Sequence, residues 1–336
     1  QTYNDDLAYH YDENIGDESY YLGVDGWYAP AVNMHRTAFS GRNSEYYSED
    51  PFVGGHIASL ECKGVASRGM YVFVKHFAVN DQENHRGDRD GQFSIATFLN
   101  EQAAREIYLK PFEMCIKTDD VQMNYAKDNG DGTYSNATRE IPSVTGVMTS
   151  FSRIGYTWAG GDYNLVTGVL RNEWGFHGII VTDYASANDG YMFIDAGLQA
   201  GTDLWLNTDS EVYKMGDVSD NATLVTALRN ASHDILYTVV NSSAMNGIDE
   251  NVVVKKVLPL WQYWLIAFDI AMAVIIIGGV IKLIPLTGVT MPFVSYGGTS
   301  LVACLCLIGL IQGVSSVNED DLARDADLAD YGGGAA

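Results

Sequence analysis

A chain of 336 residues with 47% hydrophobic content is long enough for one or two buried cores and has the composition of an ordinary globular protein. Its formal net charge of −23 argues against a nucleic-acid partner and suits a neutral substrate such as a sugar, although solubility alone accounts for the charge equally well. Four cysteines, at 62, 115, 304 and 306, show neither metal-ligand spacing nor a disulfide framework.

The chain opens QTYNDDLAYHYDENIGDE, without an initiating Met and without the basic stretch and apolar core of a secretory signal. It reads as processed or truncated. From Gly26 onward, short apolar runs alternate with amphipathic stretches. The runs are GWYAPAV (26–32), MYVFVKHFAV (70–79), VTGVMTSF (144–151), HGIIVTDY (177–184) and TDLWL (202–206). Helix-like segments lie between them near 54–67, 97–117, 163–174 and 222–240. Nearly continuous apolar strands alternating with helices predict a parallel sheet covered on both faces. Several strands end in polar residues: Asn33 and His35, Lys75 and His76, Asp183. In an α/β barrel that end is where chemistry collects. A doubly wound open sheet is the alternative, but no glycine-rich phosphate loop follows a strand. Residues 118–142 are polar and turn-rich and predict an excursion between a helix and the next strand.

After Lys256 the character changes. Residues 258–281 carry a single charge, Asp269, and 283–318 carry none. A bilayer core of about 30 Å needs ~20 apolar residues, so 258–281 qualifies as a membrane span and 300–317 nearly does. Two buried helices of a soluble core are the alternative. Between them lies a Pro/Gly-rich connector, 284–299, and the tail 318–336 is acidic. The expected organisation is therefore an α/β domain over 1–247, a linker 248–257, two transmembrane helices within 258–317, and the tail.

Retaining glycosidases need a carboxylate nucleophile and a carboxylic acid proton donor roughly 5–5.5 Å apart. Asp183 closes the apolar strand GIIVTD, a rigid position facing the mouth of a barrel. Taken alone, such a residue serves equally well as a helix cap. Five segments taken together say more: GRNSEYYSEDP (41–51), KHFAVNDQENHR (75–86), NEQAAREIYLKPFE (100–113), VMTSFSRIG (147–155) and RNEWGFHGIIVTDY (171–184). In this order and spacing they resemble glycoside hydrolase family 3, in its β-glucosidase branch, over about residues 3–247. The resemblance implies an incomplete (β/α)8 TIM-type barrel, with Asp183 as nucleophile. It implies that Arg42, Lys75 and His76 bind the sugar hydroxyls, and no metal or organic cofactor. Lys75 and Arg42 supply charged donors, His76 donates or accepts, and their cations are expected to keep Asp183 ionised. Arg86 is a further sugar contact or an ion-pair partner of Glu83 or Asp81.

The family's proton donor usually lies in a separate α/β sandwich domain, which this sequence lacks, as it lacks the first barrel strands with their sugar-binding Asp. Where the family often has Tyr after Ser150, this chain has Phe151. The hexosaminidase branch carries a Gly-His-Gly loop after its Lys-His pair. Here the stretch is FAVNDQENH, and His85 reads as a surface residue.

The run PLTGVTMPFVSYGGTS within 278–314 is similar to the end of the SEDS glycosyltransferases, membrane polymerases of peptidoglycan. A barrel outside the cell and a SEDS-like connector demand opposite orientations, which points to a junction near Gly278. A natural fusion, an engineered chimera and a mis-assembled reading frame all fit. The leading expectation is a membrane-anchored β-glycosidase at the bacterial cell surface, acting on β-glucosides and holding membrane lipid through 258–317. A non-catalytic sugar-binding remnant and a fragment of a SEDS polymerase are the alternatives.

Overall fold

The computed structural model describes residues 2–84, 86, 94–185, 191–207, 214–246 and 260–280. The chain divides into two compact units, Gln1–Asp249 and Glu250–Ala336.

The first unit begins with a helix the apolar pattern does not announce, α1 (Asp5–Leu22), capped by the Asn4 side chain on Leu7 N–H. A two-residue strand follows, β1 (Gly26–Trp27), and then α2 (Pro51–Ser67). Asp50 caps α2 through Phe52 and Val53 N–H, and Pro51 occupies the first turn, where its missing N–H costs nothing. Next come β2 (Tyr71–Phe77), the short β3 (Ala96–Thr97), and a helical segment made of α3 (Glu101–Ala103), a π-turn and α4 (Lys110–Ile116). The predicted excursion at 118–142 is a β-hairpin, β4 (Val121–Asp128) with β5 (Tyr134–Ile141), paired from Val121↔Ile141 to Asp128↔Tyr134. The unit continues through β6 (Gly146–Thr149), β7 (Arg153–Ile154), β8 (Thr157–Trp158) and a π-helix, Asn164–Glu173. It ends with β9 (Ile179–Tyr184), α5 (Ile194–Ala200), β10 (Leu204–Leu206) and α6 (Ala222–Val240).

Five strands form the main sheet in the order β1-β2-β6-β9-β10, and every pair is parallel. Spatial order repeats chain order, so there is no reversal point of the kind a doubly wound sheet requires. That order is the one strands follow around an α/β barrel, and the described residues hold five strands where a closed barrel has eight. Side chains alternate across the sheet. Val72, Val74, Val147 and Ile180 face Ala58, Cys62 and Val65 of α2, Phe112 and Cys115 of α4, and Val166 and Leu170 of the π-helix. Phe73, Met148, Ile179 and Val181 line the opposite face. At the base of the sheet, Thr238 of α6 donates its hydroxyl to Thr145 O at 2.7 Å and accepts Ile179 N–H at 3.1 Å. Gly178 makes that base possible: a Cβ there would lie 2.0 Å from Thr145 O.

Cys62 and Cys115 are buried free thiols, and burial holds the Cys62 thiol far above its ordinary pKa. Asp12 of α1 is also buried, with Oδ2 lacking a hydrogen bond. Burial, then the charge of Glu61, pushes its pKa up to about 7.

In the second unit, α7 (Leu260–Val280) has Asp269 as its only charge. Its side chains are described as far as Ile275, a stretch of about 24 Å at 1.5 Å per residue. Among the described residues no helix is long and apolar enough to cross a membrane. The predicted linker 248–257, connector 284–299, second span 300–317 and tail 318–336 lie outside the described residues, as does His85.

Candidate active site

The site is built where the sheet's regular pairing breaks. Between Val74 and Phe77 the β2–β6 register shifts, and between Leu204 and Leu206 the β10–β9 register shifts opposite Val181 and Tyr184. Such irregularities re-aim side chains at strand ends. Here they flank Lys75 and His76 on β2 and Asp183 on β9.

His76 is 2% exposed and its backbone is locked on both sides. Its N–H donates to Asn33 Oδ1 at 2.8 Å, and its carbonyl accepts from Asn33 Nδ2 at 3.1 Å. The loop carrying Arg42 and Glu45 is pinned by His35, whose Nε2 lies 2.9 Å from the carbonyls of both Asn43 and Tyr46. From that loop Arg42 Nη2 reaches His76 Nε2 at 3.0 Å. A guanidinium only donates, so Nε2 accepts and the imidazole proton resides on Nδ1, a buried atom without a hydrogen bond. Burial, then the charges of Arg42, Lys75 and Arg86, hold the His76 pKa well below its ordinary value, so the ring is neutral.

Asp183 has one oxygen tied and one untied. Oδ1 accepts Tyr184 N–H at 2.7 Å, while Oδ2 makes no hydrogen bond. It stands 3.6 Å from His76 Nε2 and 3.7 Å from Arg86 Nη1. The side chain is 14% exposed. Neighbouring cations are expected to depress its pKa, but burial is the larger effect and raises it. The Tyr184 N–H and the charges of Arg86, Arg42 and Lys75 offset that rise only in part.

All five residues singled out from sequence, Arg42, Lys75, His76, Arg86 and Asp183, therefore meet in one cluster. Of the ion-pair partners expected for Arg86, the structure shows Glu83. The Arg86 Nε pairs with Glu83 Oε2 at 2.8 Å, its Nη1 faces Asp183, and its plane lies 4.6 Å over the Phe151 ring. Asp81 is not its partner: that carboxylate accepts Met34 N–H at 2.6 Å, and burial lifts its pKa to about 7. Two acids organise the cations; sequence reasoning named Glu83 only as one of two candidate partners of Arg86 and missed Glu45. Glu45 pairs with Arg42 Nε through Oε1 and with Lys75 Nζ through Oε2 at 3.7 Å. Glu83 faces Arg42 Nη1 at 3.7 Å and Arg86. Each stands three residues from an arginine it pairs with, which is the one signal in the sequence.

Chemically, the cluster offers a carboxyl oxygen free of hydrogen bonds, a neutral imidazole and three cations in a partly dry setting. It is suited to gripping hydroxyl-rich neutral molecules. A cavity of about 1250 Å³ lies elsewhere, among the π-helix, α5 and α6. Its charged lining is self-satisfied: Arg171 pairs with Asp203 at 2.8 Å and Asp234 at 3.0 Å. Among the described residues no group of His, Cys, Asp and Glu is arranged to hold a metal ion.

The family described as "Glycosyl hydrolase family 3 N terminal domain" matches residues 1–127 and 132–239. The FtsW/RodA/SpoVE family, described as "Cell cycle protein", matches residues 235–320. Beta-glucosidase A of Butyrivibrio fibrisolvens is 35% identical over 196 residues, covering 58% of this chain and 20% of the relative. Beta-glucosidase B of Emericella nidulans is 33% identical over 222 residues, covering 65% of this chain and 23% of the relative. The structure of β-glucosidase 3B from Thermotoga neapolitana in complex with α-D-glucose superposes with a TM-score of 0.57 at 29% identity. That match covers 72% of this chain and 31% of the other. The chain thus spans about a fifth to a third of the length of these relatives.

Proposed function

Because the chain belongs to glycosyl hydrolase family 3, we propose that residues 1–247 are the nucleophile-bearing barrel of a retaining β-glycosidase acting on terminal β-D-glucosyl residues. The observation that carries this reading is the buried, untied Oδ2 of Asp183, flanked by His76 and Arg86. In this mechanism Oδ2 attacks the anomeric carbon, the aglycone oxygen leaves, and a covalent glycosyl-enzyme forms. Water then releases the sugar. Arg42, Lys75, His76 and Arg86 hold the glycone hydroxyls so that the reacting carbon sits above Asp183. The raised pKa of Asp183 strengthens it as a nucleophile once it is ionised.

The proton donor is assigned elsewhere in the protein. Glu45 and Glu83 are each shared between two cations, so both carboxyl groups are already engaged in ion pairs. An α/β sandwich domain of the kind family members carry would supply the acid/base. The chain alone should turn over cellobiose poorly and activated aryl glucosides weakly, since their leaving groups need little protonation.

The match over 235–320 and the composition of 258–281 and 300–317 support a second element, a membrane anchor at the bacterial cell surface. A chimera carrying a fragment of a SEDS polymerase is the competing reading, favoured by the same match, and a non-catalytic, sugar-binding barrel is the other.

A 2-deoxy-2-fluoroglucoside with a good leaving group tests the nucleophile. It should add one fluoroglucosyl mass to a peptide containing Asp183, and Asp183→Ala should abolish the adduct with the fold intact. An adduct on Asp162 or Asp203 would overturn the assignment. Glucose binding without any adduct would favour the non-catalytic barrel.

A further inference from the structure

Glu83 stands three residues before Arg86, is 16% exposed, and is gripped from both sides. Behind it lies a rigid wall. Its Oε1 accepts from Asn80 Nδ2 at 3.0 Å, and the same Nδ2 reaches the Tyr46 hydroxyl at 3.2 Å. That hydroxyl donates to Asn80 O at 3.0 Å. Tyr46 and Asn80 are both 0% exposed, so the carboxylate is anchored to core rather than to solvent. In front of it lie two guanidinium groups that lead in different directions. Arg42 ends on His76 Nε2, and Arg86 ends near Asp183 Oδ2.

An exposed ion pair at this spacing contributes little. Burial changes the case for Glu83: desolvation raises its pKa, and the opposing influences are Arg86, then Arg42, then the Asn80 amide. The distances around Arg86 are unequal in the same sense. It lies 2.8 Å from Glu83 and 3.7 Å from Asp183, so Glu83 holds the stronger claim on it. The Phe151 ring beneath the guanidinium fixes its plane.

Resting on the reading of Asp183 as nucleophile, we propose that Glu83 is a positioning residue that keeps Arg86 off hydrogen-bonding distance from Asp183 Oδ2 while tethering Arg42 toward His76. Its carboxylate touches neither the sugar nor Asp183; it acts through the two arginines. Without its charge Arg86 closes on Asp183, and the attacking oxygen becomes a buried salt-bridge member, more acidic and less nucleophilic.

The experiment follows the carboxyl carbon of Asp183 by 13C NMR across a pH titration of the full chain, with glucose binding measured by calorimetry on the same samples. In Glu83→Gln the Asp183 pKa should fall by about one pH unit or more, as for a carboxylate gaining a close guanidinium. In an Arg86→Ala background the same substitution should no longer lower it, because the intermediary is gone. Glucose affinity should fall roughly tenfold in Glu83→Gln, the weight of one misdirected charged hydrogen bond. Glu83→Asp keeps the charge one methylene short and should fall between wild type and Gln, so it carries the test if the Gln variant does not fold. An Asp183 titration identical in wild type and variants would overturn the proposal, as would an effect that survives Arg86→Ala. A shifted Asp183 in a protein with no affinity for glucose would leave Glu83's role standing and sink the glucosidase reading instead.

Discussion

Asp12 and Asp183 each carry a buried carboxyl oxygen without a hydrogen bond, and what separates them is the company each keeps. Asp183 faces Arg86, Arg42 and Lys75, whereas Asp12 faces the like charge of Glu61 and has a pKa of about 7. Below pH 3.8 Asp12 is protonated whether the chain is folded or not. Between 3.8 and about 7 the unfolded chain gives up its proton and the folded chain keeps it, so stability declines as pH rises through that window. Above about pH 7 the native state carries the full cost of a buried charge. Asp12→Asn should therefore stabilise the protein by on the order of 1–3 kcal/mol at pH 8 and leave it unchanged near pH 3, as read from denaturant melts at both pH values. At the candidate site, the cations and Asp183 were legible as residues because strand ends and motif segments mark them. Glu45 was not, and Glu83 was named only as one of two possible partners of Arg86, because an acid three residues from an arginine is what any solvated surface offers. Only tertiary burial sets these two apart.

Among the elements, the strands and most helices follow from apolar periodicity, while α1 does not, and its packing shows why. It buries Asp12 and Gly16 instead of a stripe of aliphatic side chains. What docks it on α2 is close approach and charge. A Cβ on Gly64 would lie 2.4 Å from Tyr9 O, and one on Gly16 would lie 2.7 Å from Arg68 Cβ. Arg68 reaches Glu13 and Asp17 at 3.3 Å each, and His56 reaches Asp5 at 3.0 Å. A search for apolar spacing is blind to a helix held in this way. Gly64→Ala should push the two helices apart and cost about 1–3 kcal/mol in thermal or denaturant melts, an overpacking penalty against backbone that cannot swing aside. The hairpin β4–β5 escaped for the opposite reason. Its strands are polar on both faces except where Val121, Met123 and Ile141 pack with Ala66, and its turn is built from Asx contacts. Gly130 N–H donates to Asp128 at 2.8 Å and Thr133 N–H to Asp131 at 2.9 Å.

For the whole molecule, the parallel α/β class was readable because the central strands β2, β6 and β9 carry buried side chains on both faces and helices lie between successive strands of the sheet. The chain-order arrangement, which favours a barrel sector over a doubly wound sheet, was not readable from any single segment, since it depends on which strands become neighbours. The division into Gln1–Asp249 and Glu250–Ala336 yields a direct expectation. Truncation after Gly247 should give a protein whose circular dichroism and melting midpoint match those of the first unit in the full chain, and a collapse of the melting transition would show that the two units depend on each other. The sheet's outermost strands carry a further consequence. β1 is two residues long and β10 three, so the sheet presents very few unpaired peptide groups along either margin. Strands of that length are poor templates for strand addition by another copy, a protection against fibrillar growth that a sheet with long margins would lack.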